Sequence, residues 1–309
     1  MTLPRQSTRV DYPAGIVRNS ATVLHVEGLP NGTMVVLLDR TSVHPIDAGW
    51  PDQSADRATL IPAGSTAGGH HIEITDCIVG ATDGAALYLG RDIPVAKGTD
   101  GWGFVVVHVV AGDAALAEGD RVDVEVDAGF RERTSTGHTA CHLASLALNE
   151  ALAGRWRKEI RADGLGHPDF DGAANDVSLI TENGSTDTYR LGKSLRKKGF
   201  VAEGFADGLD EVEQTANAAL AEWVATDAAV RVERDGETLT DRRYWVCELP
   251  GAEVRIPCGG THRNSLAGLG SVRIALSTED VDGTTILTME TTATTATSTT
   301  TATTVPSAG

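Results

Sequence analysis

The stretch TSTGHTACHLASLALNEALA, Thr134–Ala153, decides the fold class. It has no proline and is rich in Ala and Leu. Leu143, Leu146, Ala147 and Leu152 give it an apolar side, so the spacing predicts a helix. Upstream the pattern is different. Short runs rich in Val, Leu and Ile occur at 22–27, 33–39, 71–77, 85–89, 103–110 and 121–126, between turns rich in Gly and Asp. Pro30-Asn31-Gly32 marks a turn between the first two. Strands at this spacing predict a small β-barrel or a strongly curved sheet over residues 1–128.

Downstream, 207–226 repeats Leu209, Val212, Ala216, Leu220 and Trp223 at helical spacing behind an acidic first turn, which suits the helix dipole. Strands are expected again at 230–234, 242–249, 253–256, 271–276 and 284–289. Helices followed by antiparallel-looking strands predict a two-layer α+β domain over 129–289. The fold class is therefore α+β. Residues 1–20 read as a loose lead-in, 169–185 as a loop with a turn at Asn183-Gly184, and 187–200 as a basic segment. Ten of the fourteen residues from Thr291 to Thr304 are Thr. With no apolar alternation to bury, 290–309 read as a disordered tail.

The chain has 309 residues and a formal charge of −17, from 26 basic and 43 acidic residues. The length suits about two domains. With 41% hydrophobic residues it can bury a core, and no apolar run is long enough for a membrane-spanning helix. Met1–Gln6 lacks the apolar stretch of a secretory signal, so the cytoplasm is the default expectation. The acidic balance argues against indiscriminate coating of nucleic acid, and neither DNA nor a membrane is an expected partner. Cys77, Cys141, Cys247 and Cys258 are not expected to form disulfides in such a chain. The first three lie in apolar or mixed runs and read as buried small hydrophobes.

Two short motifs carry chemistry. His138-Thr139-Ala140-Cys141-His142 sets two histidines at i and i+4, on one helix face and close enough for one metal ion. In Cys258-Gly259-Gly260-Thr261-His262 the glycine pair lets the backbone turn so that Cys and His converge. Three imidazoles and one thiolate form a borderline-soft set suited to tetrahedral Zn²⁺. The two halves lie 120 residues apart, so only the fold can unite them. Residues 39–60 read as a long loop, of the kind that is often functional in compact domains.

Gly137–Leu152 (GHTACHLASLALNEAL) and Ile256–Ile274 (IPCGGTHRNSLAGLGSVRI) resemble the two metal motifs of alanyl-tRNA editing domains, which occur within alanyl-tRNA synthetases and as stand-alone trans-editing proteins. The threonyl-tRNA synthetase editing domain is similar over the same motifs. Val35–Leu60 and Gly119–Thr139 resemble the barrel motif and the approach to the first histidine pair in the alanyl-type members, which favours the alanyl side. The resemblance implies a zinc-dependent aminoacyl-tRNA deacylase, with His138, His142, Cys258 and His262 as zinc ligands and aminoacylated tRNA as partner. It implies hydrolysis of the ester of a mischarged tRNA, typically serine on an alanine tRNA. The sequence departs from the family where its glycine-rich stretch reads Asp47-Ala48-Gly49-Trp50, and in the insertion Thr186–Phe200. These departures admit a tRNA carrying a threonine-like amino acid such as fluorothreonine as an alternative substrate, and a non-catalytic zinc-containing tRNA-binding module is a further alternative.

Thr139 and Thr261 adjoin the ligands and are candidates to contact substrate or orient the metal shell. Asp47, Asp52 and Gln53 are candidates for the polar group that recognises a side-chain hydroxyl. Gln53 also joins the two threonines as a candidate catalytic residue. Two basic segments are candidates for tRNA contact. One holds Arg155, Arg157, Lys158 and Arg161 around Trp156. The other holds Arg190, Lys193, Arg196, Lys197 and Lys198 between Tyr189 and Phe200.

Overall fold

The computed structural model describes residues 3–65 and 71–296. In chain order the N-terminal part contains β1 (Arg9–Val10), β2 (Arg18–Gly28), β3 (Thr33–Leu38), β4 (Arg40–Thr41), β5 (Ala58–Pro62), β6 (Ile72–Ile74), β7 (Asp76–Thr82), β8 (Leu87–Leu89), β9 (Gly103–Ala111) and β10 (Arg121–Val126). Next come α1 (Ala128–Ala151), α2 (Phe170–Ala174), β11 (Asn175–Thr181), β12 (Gly184–Leu191), α3 (Lys193–Lys198) and α4 (Leu209–Val224). The chain continues through β13 (Val230–Arg234), β14 (Arg243–Leu249), β15 (Ala252–Pro257), β16 (Leu269–Val281) and β17 (Thr284–Thr295).

The N-terminal part is an eight-stranded sheet in the order β6-β5-β10-β2-β3-β9-β7-β8. The barrel expected there is not closed. Instead the sheet curls. β6 pairs with β5 and β7 pairs with β9, yet only Thr75 separates β6 from β7. The Thr75 amide donates to the Val109 carbonyl at 2.8 Å, which keeps the bend in place. Alternating residues of these strands, among them Val23, Val36, Leu60, Val106 and Val124, fill the core inside the curl. Residues 3–20 of the expected lead-in are built into the fold, because β1 pairs parallel with β4 and β2 begins at Arg18.

His108 lies in this sheet with no exposed surface. Its Nδ1 is 3.1 Å from the Val36 carbonyl, to which it donates, and its Nε2 accepts from the Thr41 hydroxyl at 3.0 Å. Both bonds suit the neutral ring. Burial lowers its pKa from 6.5 to about 4. The unfolded chain therefore takes up the proton first as the pH falls. The His108 contribution is complete above pH 6.5 and is lost as the pH falls toward about 4. A shift of that size corresponds to roughly 3 kcal/mol. Urea unfolding at both ends of the range checks this. His108→Gln should lose less stability on acidification than the wild type, and an equal loss would exclude the assignment.

The second part packs α1, α2 and α4 around a four-stranded antiparallel sheet, β11-β12-β17-β16, with β13-β14-β15 as a separate three-stranded sheet. α1 starts six residues before the sequence-based boundary. The Asp127 side chain caps it by accepting the Phe130 amide at 2.9 Å. Its apolar side is not its only buried side, since nearly every residue from Thr134 to Asn149 is covered. Small residues permit this. A Cβ at Gly137 would lie 2.3 Å from the Thr181 carbonyl oxygen, so only glycine lets the helix pass this close to the sheet.

Three expectations need correction. Residues 169–185 are not a loop but hold α2 and β11. The exposed residues of β11 include Val177 and Leu179, so its alternation does not mark an apolar inner face. The basic segment 187–200 divides into the end of β12 and the short helix α3. The expected tail is strand as far as Thr295. Thr291 and Ala293 are buried, and these small side chains fit where the sheet meets α1. Residues 297–309 lie outside the described residues. No described helix is long and apolar enough to cross a membrane.

Candidate metal centre

The fold unites the two motifs. His138 and His142 project from the middle of α1, one turn apart. Cys258 directly follows β15, and its amide donates to the Arg243 carbonyl at 3.1 Å, which extends the ladder with β14. The chain then turns back through Gly259 and Gly260, bringing His262 against the helix. One ligand atom from each of His138, His142, Cys258 and His262 lies within 4.8 Å of every other, so the four can hold one metal ion. Cys258 Sγ is 3.4 Å from His138 Nε2 and 3.2 Å from His262 Nε2.

Protein partners fix one ligand's tautomer. Gln53 Oε1 accepts the Thr261 amide at 3.0 Å, while its Nε2 donates to Thr261 Oγ1 at 2.9 Å. These bonds orient the amide, so Oε1 can only accept from His138 Nδ1, 2.7 Å away. His138 Nε2 is left without a proton and faces Cys258. Ser135 also donates to Thr261 Oγ1, at 2.9 Å. Thr139 Oγ1 accepts the Arg263 amide at 3.0 Å, pinning the residue after His262 to α1.

The donors fit a metal ion. His142 Nε2 is buried without any hydrogen-bond partner, as is His262 Nδ1, the ring nitrogen other than the one 3.2 Å from Cys258 Sγ. Burial lowers the pKa of His142 to about 4, holds His138 and His262 well below the usual histidine range, and pushes the Cys258 thiol up to about 12. Neutral imidazoles are ready ligands, whereas the thiol must lose its proton to solvent when a cation binds. Asp52 adjoins the cluster, with Oδ2 3.7 Å from His138 Nε2, and burial raises its pKa to about 6.

Gly260 is needed here for close approach. A Cβ at this position would lie 2.3 Å from His138 Cε1 and 2.6 Å from Gln53 Oε1. Gly260→Ala should break the Gln53–His138 bond and weaken metal binding about 10- to 100-fold, the usual cost of losing such a supporting contact. Competition with a metallochromic chelator measures this, and unchanged affinity would refute it.

Of the sequence-based candidates, Gln53, Thr139 and Thr261 are brought behind the ligands. They are buried, and their contacts there are to protein. Asp47 is farther out, where it accepts from Lys97 Nζ at 3.0 Å. Sequence reasoning missed Arg243, which donates to the Tyr12 hydroxyl at 2.7 Å, the Leu239 carbonyl at 2.8 Å and the Gly259 carbonyl at 3.4 Å. It ties the metal turn to the N-terminal part, and no local motif marks it.

The two basic segments also meet. Trp156 and Phe200 form an antiparallel bridge, with the Arg157 amide donating to the Gly199 carbonyl at 3.0 Å. Arg157, Lys158, Lys193, Arg196, Lys197 and Lys198 are exposed around this junction, and among them are four of the chain's five lysines. Lys158, Arg196 and Lys198 bond backbone carbonyls. Arg155 is half-buried over the Phe205 ring, and Arg161 and Arg190 are exposed nearby in sequence. The aromatic residues are not a stacking surface. Tyr189 and Phe200 are buried, and Trp156 packs edge-on against Phe200 at 5.1 Å. No protein-family model matches the chain, and no curated protein matches it.

Proposed function

We propose that this protein is a zinc-dependent hydrolase of the ester in mischarged aminoacyl-tRNA, acting in trans on a substrate of the seryl-tRNA(Ala) type. The observation that carries the reading is the convergence of His138, His142, Cys258 and His262, which stand in the two motifs that resemble alanyl-tRNA editing domains. Three imidazoles and a thiolate suit zinc by softness and number. Zinc, when bound, supplies a Lewis acid for the carbonyl of an ester that is already activated. Gln53 keeps His138 in the metal-binding tautomer, and Thr261 keeps Gln53 oriented. Thr139 holds the backbone beyond His262. These three residues support catalysis by positioning the ligands. Asp52 faces the cluster and is placed to accept a proton from an attacking water.

The joined basic surface supports tRNA as the carrier of the ester. It begins just beyond the C-terminus of α1, roughly 15 Å along the helix from His142. Its cations allow a focused phosphate contact on a chain of charge −17. Lys197→Ala with Lys198→Ala should weaken tRNA binding and reduce the salt slope by about one per lost phosphate contact. Wild-type affinity and slope would remove these residues from the interface.

The function is tested by deacylation of seryl-, threonyl- and alanyl-tRNA with zinc-loaded and chelator-treated protein. The proposal predicts zinc-dependent release of serine from the alanine tRNA and sparing of alanine. Preference for threonyl-tRNA would move the substrate to a threonine-like amino acid. No hydrolysis of any charged tRNA would overturn the enzymatic reading and leave a tRNA-binding module.

A further inference from the structure

Trp50 is the most exposed large hydrophobic residue among those described, with 66% of its surface in solvent. It is nevertheless held in place. Its amide donates to the Asp47 carbonyl at 3.0 Å, closing a turn that the Asp47 side chain braces by accepting the Gly49 amide at 2.9 Å. Its indole Nε1 donates to Asp52 Oδ2 at 2.9 Å. The same carboxylate oxygen lies 3.7 Å from His138 Nε2, so one side chain links the indole to the metal ligands. The Asp52 carbonyl in turn accepts the Ile180 amide at 2.8 Å, which fastens the loop to β11. With the N–H satisfied from within the chain, the face of the ring stays open to solvent.

We infer that the Trp50 ring is a stacking platform for the terminal nucleobase of the substrate RNA. This rests on the reading of the metal centre as a site for an aminoacyl ester on RNA. Such an ester sits on the terminal ribose, and one sugar ring separates it from the base. Trp50 Nε1 is 2.9 Å from Asp52 Oδ2, which is itself 3.7 Å from His138 Nε2, so a single carboxylate bridges the indole edge and the nearest ligand. An aromatic face accepts any base, because every base has a π-face, and stacking of this kind is tolerant of sequence. A fixed, outward-facing ring also gives contact area at low entropic cost, because Asp52 already orders it.

The test uses an uncharged RNA hairpin with a short single-stranded 3′ end, and the same hairpin with an abasic terminal residue. The other tryptophans, Trp102, Trp156, Trp223 and Trp245, are buried or half-buried, so fluorescence quenching can be assigned to Trp50 by difference. The intact hairpin should quench the wild-type protein and leave Trp50→Leu unchanged. Trp50→Leu, or removal of the base, should weaken binding about 10-fold, the range expected for one base on one ring. Trp50→Phe keeps a ring and drops the bond to Asp52, and should bind within about threefold of wild type. Equal binding of Trp50→Leu and wild type, equal binding of the abasic and intact hairpins, or no quenching would overturn the inference. Quenching by the hairpin without hydrolysis of charged tRNA would support the platform while removing the hydrolase reading. Hydrolysis with a Trp50→Leu variant that binds normally would do the reverse.

Discussion

Asp56→Ala should destabilise the protein by about 3–5 kcal/mol, the usual cost of removing one partner from a buried ion pair. Asp56 and Arg131 are almost wholly buried, with side chains 1% and 6% exposed. Arg131 Nε donates to Asp56 Oδ1 at 2.8 Å, and its Nη2 donates to Oδ2 and, at 2.8 Å, to the Ser42 carbonyl. Asp56 Oδ2 also accepts the His44 amide. Alanine would leave the guanidinium without its counter-charge and the His44 amide without its acceptor. The effect should reach the metal centre, because Arg131 lies on α1 two turns before His138 and Asp56 follows Gln53 in the same loop. Urea denaturation gives the loss directly. The Asp56→Leu, Arg131→Met double variant should be less destabilised than the summed single effects, since it buries no unpaired charge. A loss below about 1 kcal/mol in Asp56→Ala would place the pair in the class of weak surface ion pairs and contradict the burial argument.

Gln53→Ala should weaken zinc binding about 10- to 100-fold and leave the fold intact. The amide takes no direct part in the ligand set. It fixes the proton on His138 Nδ1, and so frees Nε2. Without it the ring can protonate either nitrogen and rotate, and the pre-set geometry is lost. Gln53→Glu adds a control. A carboxylate can accept from His138 and from the Thr261 amide but cannot donate to Thr261 Oγ1, so it should recover much of the affinity. Zinc affinity by chelator competition, alongside a melting curve, separates this role from a purely structural one. Equal affinities for wild type and Gln53→Ala would refute it.

The two halves of the candidate metal site were legible in the sequence because each is local. A histidine pair at helical spacing and a Cys–His pair across Gly-Gly are set by backbone geometry alone. Gln53 was visible as a loop residue, but its bond to His138 spans 85 residues, and nothing nearby marks a ligand-orienting role. The Arg131–Asp56 pair spans 75 residues and was invisible for the same reason. β11 was missed because Val177 and Leu179 face outward on an edge strand, against the usual alternation. Trp156, Tyr189 and Phe200 looked like aromatic residues interleaved with a basic surface. Composition cannot distinguish a stacking ring from a core ring, and these three pack inward beneath the cations. The end of β17 was hidden because Thr and Ala carry too little apolar contrast to reveal a period of two.

The proposed function depends on His138, His142, Cys258 and His262 forming a single zinc site. X-ray absorption at the zinc edge tests that most directly. A single site gives one zinc per chain with three nitrogen neighbours at about 2.0–2.1 Å and one sulfur at about 2.3 Å, and loss of that zinc in the His138→Ala, His142→Ala variant. A spectrum without sulfur, or stoichiometric zinc retained by the double variant, would contradict it.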